Sequence, residues 1–100
     1  MSNQKEFYRK LNTTYNQLIK EYKRIRPDYN FLTEDVGVEL DTDMAELQQQ
    51  FAAARKGLGL VNKLSYGPSK LKHTKRVMSN LNKIRAKLRR LEKEMAKILT

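Results

Sequence analysis

The sequence predicts an all-α protein with three helices, two shorter ones and one long basic C-terminal helix, in an elongated bundle or helical hairpin with coiled-coil character. Apolar residues recur at alternating spacings of three and four in three segments, which is the heptad pattern of packed helices. Two prolines and four glycines are too few for a many-turned β-sandwich. A length of 100 residues fits one small helical domain over residues 1–100.

The first helix is predicted over residues 3–26. Its apolar positions form two interleaved heptad series, Tyr8–Tyr15–Tyr22 and Leu11–Leu18–Ile25. Pro27 is expected to end this helix, because a proline disfavours helical geometry in the residue before it. We interpret the tyrosines as core residues whose hydroxyls reach water. The alternative is that the tyrosines stack on nucleic-acid bases.

Residues 27–42 are predicted to form an acidic connector between the first two helices. The wider stretch 27–54 contains seven acidic residues and no basic one. We expect the connector to lie across the helices and to bury its apolar side chains. Its carboxylates are expected to screen a neighbouring basic helix; those carboxylates are Glu34, Asp35, Glu39 and Asp41.

The second helix is predicted over residues 43–64. Asp43 and Glu46 have the spacing of a capping box, which satisfies free N–H groups at a helix start. Gly57 and Gly59 each weaken a helix by about 1 kcal/mol relative to alanine. A kink or an early end is therefore expected at these glycines.

The third helix is predicted over residues 69–99, after a turn around Gly67 and Pro68. About 30 residues rising 1.5 Å each give roughly 45 Å of helix. Because two shorter, interrupted helices are not expected to cover this length, we predict that its central apolar row packs against a second copy or a partner helix. That row comprises Leu81, Ile84, Leu88, Leu91 and Met95. A parallel homodimer would pair Lys87 with Glu92 of the partner subunit.

The polar face of the third helix carries the main functional indication. Residues 70–100 contain eleven basic and two acidic residues. A row of cations with seven-residue spacing runs beside the apolar row, and further bases widen it. The row consists of Arg76, Lys83, Arg90 and Lys97, and the flanking bases are Lys72, Lys75, Lys87, Arg89 and Lys93. The pattern favours binding to a DNA or RNA backbone without sequence specificity.

Other functions remain open at the level of sequence. The chain is alternatively a structural or adaptor component of a virion or ribonucleoprotein that docks through its heptads. A third hypothesis is a small inhibitor or regulator of a nucleic-acid enzyme. The basic face also suits an acidic protein partner, or serves only as a solvated surface. Nothing in the sequence distinguishes DNA from RNA.

Several classes of protein are not expected. The chain has no cysteine and one histidine, which excludes disulfides, iron–sulfur clusters and multi-histidine metal sites. His73 has no nucleophile beside it, so we expect no enzymatic activity, cofactor or small-molecule substrate. Short apolar runs predict no transmembrane helix and no secretory signal. Binding to a membrane surface is disfavoured, because the apolar stripe of the third helix is aliphatic and lacks the Trp or Phe of typical interfacial helices. The expected location is cytoplasmic, or within a nucleoprotein or virion.

Overall fold

Three long helices form an elongated bundle in a computed structural model that describes residues 2–100, with side chains described from residue 5 onward. They are α1 (Ser2–Asn30), α2 (Met44–Lys63) and α3 (Pro68–Leu99), and no strand occurs within the described range. The bundle measures 51 × 21 × 16 Å. The predicted all-α fold is confirmed.

The prediction that Pro27 ends the first helix is wrong, because Pro27 lies inside α1. Proline removes one helical hydrogen bond, but the apolar row of α1 continues beyond it. Ile25 and Leu32 are both buried in the core, on either side of the proline. Their burial favours helical backbone here, while Pro27 itself stays exposed.

The predicted connector is helical in its first part and extended in its second. A π-helical segment, Phe31–Val36, directly continues α1. Gly37 ends it in the left-handed conformation (φ 82°), which glycine adopts without strain. Leu32 is buried and Val38 is half-buried, as expected for side chains lying across the helices, but Phe31 and Val36 are exposed.

Helix α2 begins at its predicted cap and runs further than its glycines suggest. The Asp43 carboxylate accepts hydrogen bonds from the backbone N–H groups of Ala45 (2.9 Å) and Glu46 (3.4 Å). This is one half of the predicted capping box, since the Glu46 carboxylate pairs with Lys87 instead. The early end predicted at the glycines is wrong, since the helix continues to Lys63. At Gly57 a Cβ atom would lie 2.7 Å from Cγ2 of Val77, so this glycine permits close approach of α2 to α3.

The core runs along the whole bundle as one cluster of apolar side chains. Helices α1 and α2 both pack chiefly against α3 and touch each other little. The five residues predicted to face a second copy are fully buried or nearly so within one chain: Leu81, Ile84, Leu88, Leu91 and Met95. The expectation that the shorter helices leave this row uncovered is therefore wrong. A second copy would reach these side chains only if the bundle opened.

Candidate nucleic-acid interface

One side of α3 carries basic residues along most of its length and no acidic residue. With Leu81 and Leu88 at buried heptad positions, eight of the nine predicted nucleic-acid-binding residues fall on the opposite side of the helix and are exposed. They are Lys72, Lys75, Arg76, Lys83, Arg89, Arg90, Lys93 and Lys97. We call these eight residues the outer face. No acidic residue of α3, all of which the structure describes, lies among them.

Both acidic residues of α3 are turned toward its neighbours. Glu92 forms a salt bridge with Arg24 of α1. The Glu94 carboxylate accepts a hydrogen bond from the backbone N–H of Asp41, with both oxygens 3.2 Å from the nitrogen. The two carboxylates thus contact neighbouring segments and do not lie among the outer-face residues of α3.

Lys87, the ninth predicted residue, does not belong to the outer face. It is half-buried, and its Nζ lies 2.6 Å from Oε1 of Glu46 in α2. The heptad explains this position, because Lys87 occupies the flank that faces α2 and not the side that faces solvent. Lys87 and Glu92, predicted to pair between subunits, each have a partner within the chain.

Acidic residues lie close to only one part of the outer face. A shallow cavity of about 470 Å³ brings Asp41, Asp43, Glu46 and Glu94 together with the last cations of α3. Those cations are Lys87, Arg90, Lys93 and Lys97. Of the four carboxylates predicted to screen the basic helix, Asp41 lines this cavity and the other three do not, because Glu34, Asp35 and Glu39 precede the segment that returns to α3.

The bundle divides into two halves of very different charge. The loop-end half, residues 2–17 and 52–84, lies around the α2–α3 turn, where the rings of Tyr8 and Tyr66 are 5.4 Å apart. The connector-end half comprises residues 18–51 and 85–100. The loop-end half contains eleven basic residues and one acidic residue, whereas the connector-end half contains ten of each. The whole net charge of +10 therefore belongs to the loop-end half.

One lysine of the loop-end half has a structural position that the sequence did not indicate. Lys70 is only 8% exposed, and its Nζ lies 4.4 Å and 4.5 Å from the ring centres of Tyr8 and Tyr66. Such cation–π contacts are favourable, and they fasten the start of α1 and the α2–α3 turn to α3. In the sequence, the only indication of this contact is an aromatic residue, Tyr66, four residues before Lys70 on the other side of the turn. Tyr8 is buried in the core, as predicted. The expectation that its hydroxyl reaches water is wrong, because that oxygen is buried as well.

The described part of the chain has neither a group of side chains suited to a metal ion nor a helix suited to crossing a membrane. Within residues 2–100 no group of three or more histidine and carboxylate side chains could hold a metal ion. Over the same range no helix combines the length and hydrophobicity that crossing a bilayer requires.

Comparisons with protein families, with curated proteins and with solved structures find no match to this chain. Function is therefore inferred from charge and geometry alone.

Proposed function

We propose that this protein binds the phosphate backbone of DNA or RNA without sequence specificity, through the outer face of α3. The observation that carries the proposal is the exposure of eight cations along one rigid helix with no carboxylate among them. Each phosphate that a cation neutralises releases condensed counterions, which favours binding to any sequence. The role is one of binding and not of catalysis.

The spacing of the cations suits a regular polyanion. Residues seven apart on a helix are separated by about 10.5 Å along its axis. Phosphates on one strand of B-form DNA are about 3.4 Å apart along the duplex axis, so this interval spans about three nucleotides. The row from Arg76 to Lys97 can therefore meet phosphates at nearly equal intervals.

The packing of α3 favours contacts to the backbone over contacts to base edges. The major groove of B-DNA is about 12 Å wide and admits a single helix. α3 has α1 on one flank and α2 on the other, in a bundle with a cross-section of 21 × 16 Å. It therefore lies on phosphates more easily than it enters a groove, which supports binding without sequence specificity.

Charge removal from the outer face tests this proposal. We expect the triple variant Arg76→Gln, Lys83→Gln and Arg90→Gln to bind unrelated DNA and RNA sequences more weakly, by about the same factor for each. The slope of log affinity against log salt on duplex DNA should become shallower by roughly 0.9 per lost contact. Gel-shift or fluorescence-anisotropy titrations at several salt concentrations measure both quantities.

A matched control separates local contact from net charge. The triple variant Lys10→Gln, Lys20→Gln and Lys23→Gln removes the same number of charges from exposed positions on α1. It should lose less affinity and keep its salt slope. Equal losses in the two folded triple variants, or no loss in the outer-face variant, would show that the outer face is not the binding site.

A further inference from the structure

An open groove lies between α1 and α2, on the side of the bundle away from the outer face. It has a volume of about 680 Å³, and its apolar floor includes Ile19 and Phe51. Leu60 also lines it and is 46% exposed, an unusual position for a leucine beside other apolar side chains. We call this surface the α1–α2 groove.

The rim of the α1–α2 groove is positively charged. Arg55, Lys56 and Lys63 line it, and no carboxylate occurs among the described residues around it. Gly59 adds no side chain, and a Cβ atom there would meet nothing within 4 Å. The groove therefore has the space, the apolar floor and the charge to receive an acidic segment that carries apolar side chains.

The π-helical segment Phe31–Val36 has the complementary properties. Phe31 and Val36 are 50% and 55% exposed, one turn apart. Glu34 and Asp35 lie between them and are also exposed. We call this segment the acidic tip. The acidic tip combines exposed apolar side chains with negative charge. The α1–α2 groove combines apolar side chains with positive charge.

The acidic tip cannot reach the groove of its own chain. The tip follows α1 at the connector end, whereas the rim residues belong to the C-terminal half of α2, toward the other end of a 51 Å bundle. We propose that the protein associates head to tail, with the acidic tip of one copy seated in the α1–α2 groove of the next. A second copy is the favoured occupant because both complementary surfaces are present on every chain, in equal number.

Such a contact joins two different surfaces of the chain. Copies that repeat it either close into a symmetric assembly, of two copies or more, or extend as an open chain. The contact leaves the outer face of α3 free, because the groove lies on the opposite side. The inference is independent of nucleic-acid binding and is tested without nucleic acid.

Sedimentation velocity of the wild type over micromolar to hundreds-of-micromolar concentrations gives the first test. We expect the mean mass to rise with concentration, and to rise less at high salt because salt screens the charge pairs. A wild type that stays monomeric over this range at low salt would overturn the proposal.

Two double variants identify the surfaces. Lys56→Glu with Leu60→Asp disables the groove, and Phe31→Ser with Glu34→Gln disables the tip. Each alone should associate at least about tenfold more weakly than the wild type, since apolar contact and charge pairing are lost together. Mixed in equal amounts, the two should form a one-to-one dimer, because one keeps an intact tip and the other an intact groove.

The control is Lys72→Glu, which makes the same charge change as Lys56→Glu but on the outer face, and it should associate like the wild type. Circular dichroism confirms that each variant is folded. A mixture of folded variants that fails to dimerise would contradict the head-to-tail arrangement. Binding of a synthetic acidic amphipathic peptide to the groove, without self-association, would instead assign the groove to another protein and overturn the proposal.

Discussion

The loop-end and connector-end halves share one hydrophobic core but differ in charge. Leu11 and Leu81 in the loop-end half are as completely buried as Leu47 and Leu88 in the connector-end half. The net charge is nevertheless confined to the loop-end half. The positive charge of α3 is therefore not equally available along its length, although its core is regular, because neighbouring segments decide how much of each charge remains unneutralised.

The difference arises from the path of the chain. The acidic block is central in the sequence, but the chain reverses after the π-helical segment and brings the last part of that block, Asp41, Asp43 and Glu46, beside the last turns of α3. The contacts of Asp41 with Glu94 and of Glu46 with Lys87 fix this placement. The first cations of α3, from Lys72 to Lys83, lie outside the cavity that holds these carboxylates. Positive potential should therefore be strongest toward the loop end.

The largest expected effects test whether the two halves have equivalent cores. Leu11→Ala and Leu88→Ala each remove the same atoms from fully buried positions, one in each half. Both should lower the free energy of unfolding by about 2–5 kcal/mol. Urea denaturation measures this quantity. If one variant lowers the free energy of unfolding by less than about 1 kcal/mol, its half of the bundle is loosely packed. The two halves would then not share one continuous core.

A smaller effect sharpens the description of the loop-end half. Gly57→Ala places a Cβ atom 2.7 Å from Cγ2 of Val77, whereas Gly59→Ala meets nothing within 4 Å. Overpacking costs about 1–3 kcal/mol, and alanine gains about 1 kcal/mol in helix propensity over glycine. Thermal unfolding should therefore show a lower melting temperature for Gly57→Ala and a higher one for Gly59→Ala.

The close contact between α2 and α3 has its own control. Val77→Ala removes the atom that the new Cβ atom of Gly57→Ala meets. Val77→Ala should therefore lower the free energy of unfolding less in the Gly57→Ala variant than in the wild type. If Gly57→Ala stabilises the protein as much as Gly59→Ala does, the two helices are further apart at this point than the structure shows.

The features that follow from local sequence were predictable. The third helix, predicted over residues 69–99, is observed as Pro68–Leu99, because a turn precedes it and its heptads are regular. Asp43 caps α2 as predicted, since capping depends on residues within one turn. The outer face also follows from local order, because heptad spacing alone separates exposed from buried positions on α3.

The features that depend on tertiary contacts were not predictable. Proline at position 27 is locally unfavourable in a helix, and only the burial of Ile25 and Leu32 against other helices explains why α1 continues. Lys87 resembles its neighbours in sequence, yet Glu46 of another helix neutralises it. Whether α1 and α2 cover the apolar row of α3 likewise depends on the length of α1. That length was not predictable, because Pro27 indicates a shorter helix than the one observed.

If the outer face binds phosphates as proposed, its loop-end half should contribute most of the affinity. Two quadruple variants test it directly, because each removes four exposed cations from the same helix. The first replaces the loop-end residues with glutamine, and the second replaces the connector-end residues. The loop-end set is Lys72, Lys75, Arg76 and Lys83; the connector-end set is Arg89, Arg90, Lys93 and Lys97.

The measurement is the affinity of both variants for one random-sequence duplex at low and at physiological salt. The connector-end cations share their surroundings with carboxylates, so their removal should cost less. We expect the loop-end variant to bind about fivefold more weakly than the connector-end variant at low salt, which corresponds to about 1 kcal/mol. The two affinities should converge as salt screens the difference. Equal affinities at low salt, or a larger loss in the connector-end variant, would contradict the account.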